Sequence, residues 1–416
     1  MEVLNPEKIP QVGIGSKAGC IPGPGTLAWA RGLESPHLVR SSTTTRHPRR
    51  RERQLPEDAA RTPADGRTPV GILGATGSVG QRMVGLLADH PWFRVAYVTG
   101  SERSQGLPYR EAARWAQSSP IPPAVAHMEV RATRATGEAP LVLSALDASV
   151  AGPVETAFAQ AGVLVVSNAR SHRMDPDVPL IVPEVNPDHL GLLEAQSAQP
   201  GGIITNPNCS TIGLALTLAP LHRTFGVRRL HVVTLQAVSG AGIPGVSSME
   251  ILDNVIPFIA GEEEKLERET RKILGQLSNG EVEPASVQVS AHCNRVPVID
   301  GHLACVSVEL EGDPKPEAAA EVMAAFRGRP QGLGLPSAPR RPLHLLPQED
   351  APQPRLHRDL EGGMAVPVGR IRDCPLLTLR YVLLSHNTLR GAAGGSLLTA
   401  ELALAEGWVP GRRGTP

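Results

Sequence analysis

The 416-residue sequence has no surplus of charge, because 41 lysines and arginines stand against 41 aspartates and glutamates. No global field would draw it to nucleic acid or to an anionic membrane. No uninterrupted apolar run approaches the about 18–20 residues that cross a bilayer, and the first residues lack a positive segment followed by an apolar one. A soluble, cytoplasmic protein with no membrane partner is expected. Cysteine is scarce too: the five residues at 20, 209, 293, 305 and 374 are an odd number without CxxC or Cys/His spacing. That argues against a disulfide framework and against a metal site, and fits a reducing compartment. Only five of the basic residues are lysine, so each lysine is worth locating. No internal repeat is found. At 41% hydrophobic residues there is apolar material for two domains of about 100–200 residues each.

Residues 1 to about 68 are rich in Pro, Gly, Ser and Thr, crowd Arg46, Arg49, Arg50, Arg51 and Arg53 together, and show no apolar period. They read as a disordered extension. The Arg/Ser/Thr content hints at a transit peptide, against which Glu2, Glu7 and Glu34 weigh. From Pro69 the pattern changes. Val70 to Leu73 reads as a buried strand entering the turn Gly74-Ala75-Thr76-Gly77-Ser78-Val79-Gly80. A helix with apolar Met83, Val84, Leu86 and Leu87 follows, then a strand over Arg94 to Val98. This is a βαβ unit. Leu141–Ser144 and Val163–Ser167 extend it into an open, doubly wound α/β sheet, giving a first domain over 69–206.

Beyond it, Thr211 to Phe225 is helical by pattern with a kink expected at Pro220. The alternating runs 231–235 and 303–308 predict a second sheet. The proline-rich stretch 328–362 is expected to be a long crossing loop, and a last helix is expected from about Gly394 to Glu406.

The glycine spacing at Gly74, Gly77 and Gly80 suits a tight strand-to-helix turn, where the amides of Thr76, Ser78 and Val79 and a helix N-terminus can meet a pyrophosphate. About twenty residues on, where an acid would hold the ribose hydroxyls of NAD, stand Ser101 and Arg103. Hydroxyl and guanidinium suit a 2′-phosphate, so NADP(H) is expected, with Glu102 pointing away. Asn206-Pro207-Asn208-Cys209-Ser210-Thr211 sets a cysteine at a helix N-terminus, where the dipole would lower its pKa. Gly261-Glu262-Glu263-Glu264-Lys265 puts Glu262 and Lys265 on one helical face.

The chain resembles the aspartate-β-semialdehyde dehydrogenases of archaea, fungi and some bacteria over about 69–408. The resemblance rests on GATGSVG from Gly74, SERSQG from Ser101, SNARSHRMDPDVPLIVPEVNP from Ser167 and TNPNCSTIG from Thr205. It continues in SGAGIPGVSSMEILDNVIPFIAGEEEKLERET from Ser239, CNRVPVIDGH from Cys293, GMAVPVGRIR from Gly363 and SHNTLRGAAGG from Ser385. It implies an NADP-dependent reduction of L-aspartyl-4-phosphate to the semialdehyde, with Cys209 as nucleophile and His302 as acid/base. It further implies Arg295 on the substrate carboxylate and Gln236 and Asn208 near the substrate. Glu262 would hold the ammonium and Lys265 the phosphate, with Glu263 and Glu264 left as surface. Ser144, Ser239, Gly240 and Asn387 would lie at the cofactor.

In fold it implies a Rossmann-type domain, an α+β catalytic and dimerisation domain over 207–385, and a C-terminal helix within 386–408 returning to the first domain. A homodimer or homotetramer is expected. Leu303 after His302, Asp147 after Ser144-Ala145-Leu146 and Ala351 before PQPR depart from the family pattern. Two rivals stand beside this reading: a malonyl-CoA-type thioester reductase of the same fold, and a catalytically silent NADPH sensor.

Overall fold

The computed structural model describes residues 66–411. The extension expected over 1–68 therefore lies almost wholly outside the described residues. Among those described, no helix is long and apolar enough to cross a membrane, and no group of three or more His, Cys, Asp or Glu side chains could hold a metal ion.

The first layer is a six-stranded parallel sheet built from β1 (Thr68–Leu73), β2 (Phe93–Gly100), β3 (Val130–Ala132), β4 (Leu141–Ser144), β5 (Leu164–Ser167) and β6 (Gly202–Thr205). Its order is β3-β2-β1-β4-β5-β6, so the chain winds outward in both directions from β1. Every residue of β1, β4, β5 and β6 is buried, as expected for parallel strands covered on both faces. Helices α1 (Ser78–Leu86) and α2 (Ala148–Gln160) are crossovers. Asp147, one of the departures, is the N-cap of α2 and accepts from the Ser149 amide at 2.9 Å.

The mixed sheet has the order β10-β7-β11-β14-β13-β12, from β7 (Val227–Gln236), β10 (Gln288–Arg295), β11 (His302–Leu310), β12 (Leu343–Leu346), β13 (Val366–Asp373) and β14 (Leu379–Ser385). A separate hairpin joins β8 (Gln276–Ser278) to β9 (Glu281–Glu283). Along β7 and β11 buried residues alternate with more exposed ones, Leu230, Val232 and Thr234 against His231, Val233 and Leu235, so one face alone carries the core. That face receives α3 (Cys209–Phe225), whose residues from Ser210 to Leu221 are all buried. A helix that is apolar all round belongs in the interior. It runs through Pro220 without ending there. Helices α4 (Glu262–Ile273) and α5 (Pro316–Ala325) contribute Leu266, Ile273, Ala319 and Met323 to the same core.

Two expectations are corrected here. The stretch 328–362 is not a plain loop: it carries helical turns at Arg329–Leu333 and Pro354–His357 and strand β12, parallel to β13. Four residues between Pro342 and Pro347 are too short to show a period, and they become a strand because an edge is there to pair with. Glu263 is not plain surface either. It accepts the Cys293 amide at 3.0 Å, and Glu267 one turn on accepts that of Ala291 at 3.2 Å, so two carboxylates satisfy outward amides of edge strand β10. The final helix α6 (Gly394–Ala405) packs Leu397, Leu398 and Leu402 among Val70, Ile72 and Val166 of the parallel-sheet core. Each such leucine stabilises the association by about 1.5–3 kcal/mol relative to exposure.

Candidate active site

Three neighbouring strands end together at one edge of the mixed sheet. Arg295 closes β10 and pairs in register with Gln236, which closes β7, while antiparallel β11 opens at His302 beside them. All three point to the buried face, being 6%, 1% and 2% exposed. The N-terminus of α3 arrives there because Asn208 caps it, its side-chain oxygen accepting the Ser210 amide at 2.9 Å. Cys209 Sγ consequently lies 3.2 Å from His302 Nε2. Behind the cysteine runs a π-helical turn, Leu389–Ala393. Gly391 touches the nucleophile so closely that a Cβ there would stand 2.7 Å from Cys209 Cβ.

Around this pair lies a pocket of about 460 Å³ lined by Arg295, Glu262, Lys265, Asn208, Arg170 and Arg173, among others. Glu262 begins α4 and holds Lys265 Nζ at 2.9 Å and Asn208 Nδ2 at 2.7 Å on its two oxygens. Burial alone would raise this carboxyl, but Lys265, Asn208 and Gln236 outweigh it and hold it below the usual range. Arg295 donates to the Ala237 carbonyl at 2.8 Å.

The thiol does not follow the helix-dipole expectation. Burial and the Glu262 carboxylate push Cys209 up to about 12, against the pull of Arg173, Arg295 and the Ser210 amide. Without substrate, the low dielectric wins over the dipole. The ring opposite is pushed down to about 3 by burial, Arg295 and His386, so both partners rest uncharged.

A cleft of about 1070 Å³ adjoins the pocket, and Ser78, Val79, Asn168, Arg170 and Gly240 line both. Gly74, Thr76, Gly77, Ser101, Glu102 and Arg103 line the cleft as well, so Glu102 stands at the cleft beside Arg103. The residues fit a dinucleotide. No side chain caps α1 at Gly77, which leaves the first amides of the helix to a phosphate. Gly74 has φ +72°, and a Cβ there would strike the Ala145 carbonyl at 2.7 Å. Gly80 does not line the cleft; a Cβ on it would lie 2.3 Å from Gly74 O, so it lets helix and strand approach. Ser144 is fully buried, its hydroxyl donating to Glu155 Oε1 at 2.6 Å beside that of Ser167 at 2.7 Å. Its side chain faces α2 and not the cleft. Asn387 donates to Ser239 Oγ at 2.8 Å and accepts the Gly301 amide at 2.9 Å, tying the rim together.

Several residues at the site were not singled out from sequence. Glu269 accepts the Asn208 amide at 2.6 Å and Arg173 Nη1 at 2.9 Å, and buried Arg390 and Glu184 form a two-pronged pair beside the π turn, one contact at 2.8 Å. The run from Ser167 quoted above contains Arg170 and Arg173, and that run was their only signal. The pairs themselves join residues 96 and 206 positions apart.

Fold and site together define a dinucleotide-binding α/β dehydrogenase class with a cysteine at the reacting centre. Residues 69–193 match the semialdehyde dehydrogenase NAD-binding domain family and residues 218–390 its dimerisation domain. The chain is 52% identical to the aspartate-semialdehyde dehydrogenase of Methanothermobacter thermautotrophicus, over 80% of this chain and 98% of that one. It is 48% identical to that of Schizosaccharomyces pombe, over 81% and 98%. A crystal structure of the Candida albicans enzyme with NADP superposes with a TM-score of 0.78 at 44% identity, covering 82% of this chain and all of that one. The chain belongs to the aspartate-semialdehyde dehydrogenase family.

Proposed function

We propose that the protein converts L-aspartyl-4-phosphate to L-aspartate 4-semialdehyde through a thioester on Cys209, with NADP(H) as its redox partner. The observation that carries this reading is the 3.2 Å approach of Cys209 Sγ to His302 Nε2, in a pocket that also holds Arg295, Glu262 and Lys265. A sulfur nucleophile suits an acyl phosphate, whose phosphate is a good leaving group. The Arg295 guanidinium offers a planar fork to the α-carboxylate, Glu262 a negative charge to the ammonium, and Lys265 a positive one to the phosphate. Ser239 and Gly240 would hold the nicotinamide, which when bound would supply the hydride. Gly74, Thr76, Gly77, Ser78 and Val79 would hold its pyrophosphate and Ser101 and Arg103 its 2′-phosphate.

The reading extends to a cytoplasmic homodimer or homotetramer, with a dinucleotide domain over 69–206, a catalytic and dimerisation domain over 207–385, and the returning helix over 386–408. A thioester reductase acting on a substrate without an amino group would have no use for buried Glu262. A silent sensor would have none for the assembled Cys209, His302 and Arg295. Phosphate-dependent reduction of NADP by aspartate semialdehyde tests the proposal. Turnover confined to a coenzyme A thioester, or none at all, overturns it.

A further inference from the structure

Lys272, one of the five lysines, lies in the last turn of α4 and is 5% exposed. An ammonium has three N–H donors. Here they go to main-chain carbonyls, those of Arg173 at 2.8 Å, Asp175 at 2.8 Å and Val178 at 2.9 Å. Burial pushes Lys272 down to about 8, although Asp175, Asp177 and Glu269 pull the other way. A buried charge is costly to keep, and what this one holds is the turn over 173–178. That turn lies between β5 and β6 with no helix or strand of its own.

Helix α4 thereby holds Arg173 at both ends. Its carbonyl accepts from Lys272, and its Nη1 donates to Glu269 Oε1 at 2.9 Å, one turn earlier in the helix. Nη2 donates to the Asn168 carbonyl at 2.7 Å. Nε is buried and has no hydrogen-bond partner among the described residues, in a side chain 8% exposed that lines the substrate pocket. A buried donor left open at a pocket wall calls for an acceptor that arrives with a ligand. Lys265, two turns before Lys272 on the same helix, lines that pocket too. A single rigid helix therefore sets the spacing between a guanidinium and an ammonium that one phosphate can bridge.

We propose that Lys272 is a positioning residue for the anion-binding side of the pocket: by holding the main chain of the 173–178 turn, it fixes Arg173 at the distance from Lys265 that a phosphate requires. This rests on the acyl-phosphate reading above. Lys272 touches neither substrate nor cofactor, and it is not among the residues lining the pocket or the cleft. It acts through Arg173 alone, so its loss should be felt on the phosphate and not on the amino-acid end of the substrate, which faces Arg295 and Glu262. A lysine that merely braced the fold would lower the amount of active protein and leave the affinity for phosphate where it was.

Initial rates of the full-length protein with aspartate semialdehyde, NADP and inorganic phosphate test this. Lys272→Met, which keeps the length of the side chain but has no donor, should raise KM for phosphate by about 10- to 100-fold, as small misplacements of a binding group do. KM for the aldehyde and for NADP should change little. A fall in kcat with KM for phosphate unmoved overturns the proposal. In an Arg173→Gln background, Lys272→Met should change KM for phosphate no further, because the two residues act as one; an additive loss overturns it as well. If the methionine variant does not fold, Lys272→Gln, with donors for two of the carbonyls, should show the same selective rise in a milder form. A second readout needs no turnover. In ¹⁵N-arginine spectra, with Arg173→Lys supplying the assignment, inorganic phosphate should shift the Arg173 Nε–H signal of the wild type, and do so only at higher concentration in Lys272→Gln. Absence of that shift in the wild type, or equal titrations in the two proteins, overturns the proposal. Failure of the wild type to turn over aspartate semialdehyde would strike the substrate reading alone, because the arginine spectra do not depend on it.

Discussion

Gly391 and Cys209 lie backbone to backbone: a Cβ on the glycine would stand 2.7 Å from Cys209 Cβ and 3.0 Å from its Cα. The nucleophile is thus fixed from behind by a π-helical turn, which buried Arg390 and Glu184 tie to the segment before α3. Gly391→Ala should cost about 1–3 kcal/mol of stability through overpacking. It should also lower kcat at least about tenfold by displacing sulfur from His302 Nε2, since small misplacements of reacting groups are expensive. NADPH affinity should hold. Urea melts, turnover and cofactor titration check the three effects, and an alanine variant with wild-type kcat would show that the contact does not position the thiol.

Cys209→Ala should abolish turnover and leave NADPH binding nearly intact, because the sulfur belongs to the substrate pocket and is not among the residues lining the cofactor cleft. A variant retaining a tenth of wild-type activity would end the thioester mechanism.

Much of this was legible in the sequence where the signal is local. The strands at 70–73 and 141–144, the glycine turn and the cysteine opening α3 depend on short-range pattern and lie close to where the pattern put them. The convergence of Arg295, Gln236 and His302 was not legible, since strand register across β10, β7 and β11 decides it. The same holds for Glu269 bridging Arg173 to Asn208. The thiol's pKa was misjudged because a helix N-terminus is visible in sequence, whereas burial and the Glu262 carboxylate are not. Ser144 was misplaced for a similar reason, its partner Glu155 being set by how α2 lies on the sheet.

Glu155 gives a pH signature. Burial raises its carboxyl above the ordinary 4.5 despite the Ser144 and Ser167 hydroxyls, and Oε2 has no hydrogen-bond partner among the described residues. A raised folded-state pKa contributes stability that is fully present below the unfolded value and is lost as pH rises through the folded one. The wild type should therefore lose stability relative to Glu155→Gln from about pH 4.5 upward, by at most about 1.4 kcal/mol per pH unit. Denaturant melts across that range check it, and a pH-independent difference refutes it.

Arg103 and Glu102 both line the cleft at the end of β2, so the preference between NADP and NAD rests on which of them meets the ribose. If the guanidinium holds a 2′-phosphate, Arg103→Ala should weaken NADPH by about 1.5–3 kcal/mol, the worth of a charged hydrogen bond, and leave NADH almost unchanged. Fluorescence titration with both nucleotides decides it. Equal losses would assign the ribose to Glu102 and Ser101.

Glu262 is the residue by which an amino-acid substrate can be told from its desamino analogue. Both its oxygens already serve the site, one accepting from Asn208 and the other from Lys265, so an arriving ammonium must share or replace Lys265. Glu262→Gln keeps an acceptor for Asn208 but turns an N–H toward the Lys265 ammonium. The variant should raise KM for aspartate semialdehyde by about 10- to 150-fold, the equivalent of about 1.5–3 kcal/mol for a charged hydrogen bond. Succinate semialdehyde, which has no ammonium, should show little change in KM with Glu262→Gln, because its carboxylate still meets Arg295. Equal losses on the two aldehydes would mean that Glu262 only braces Asn208 and the start of α3, and that the amino group is read by another residue.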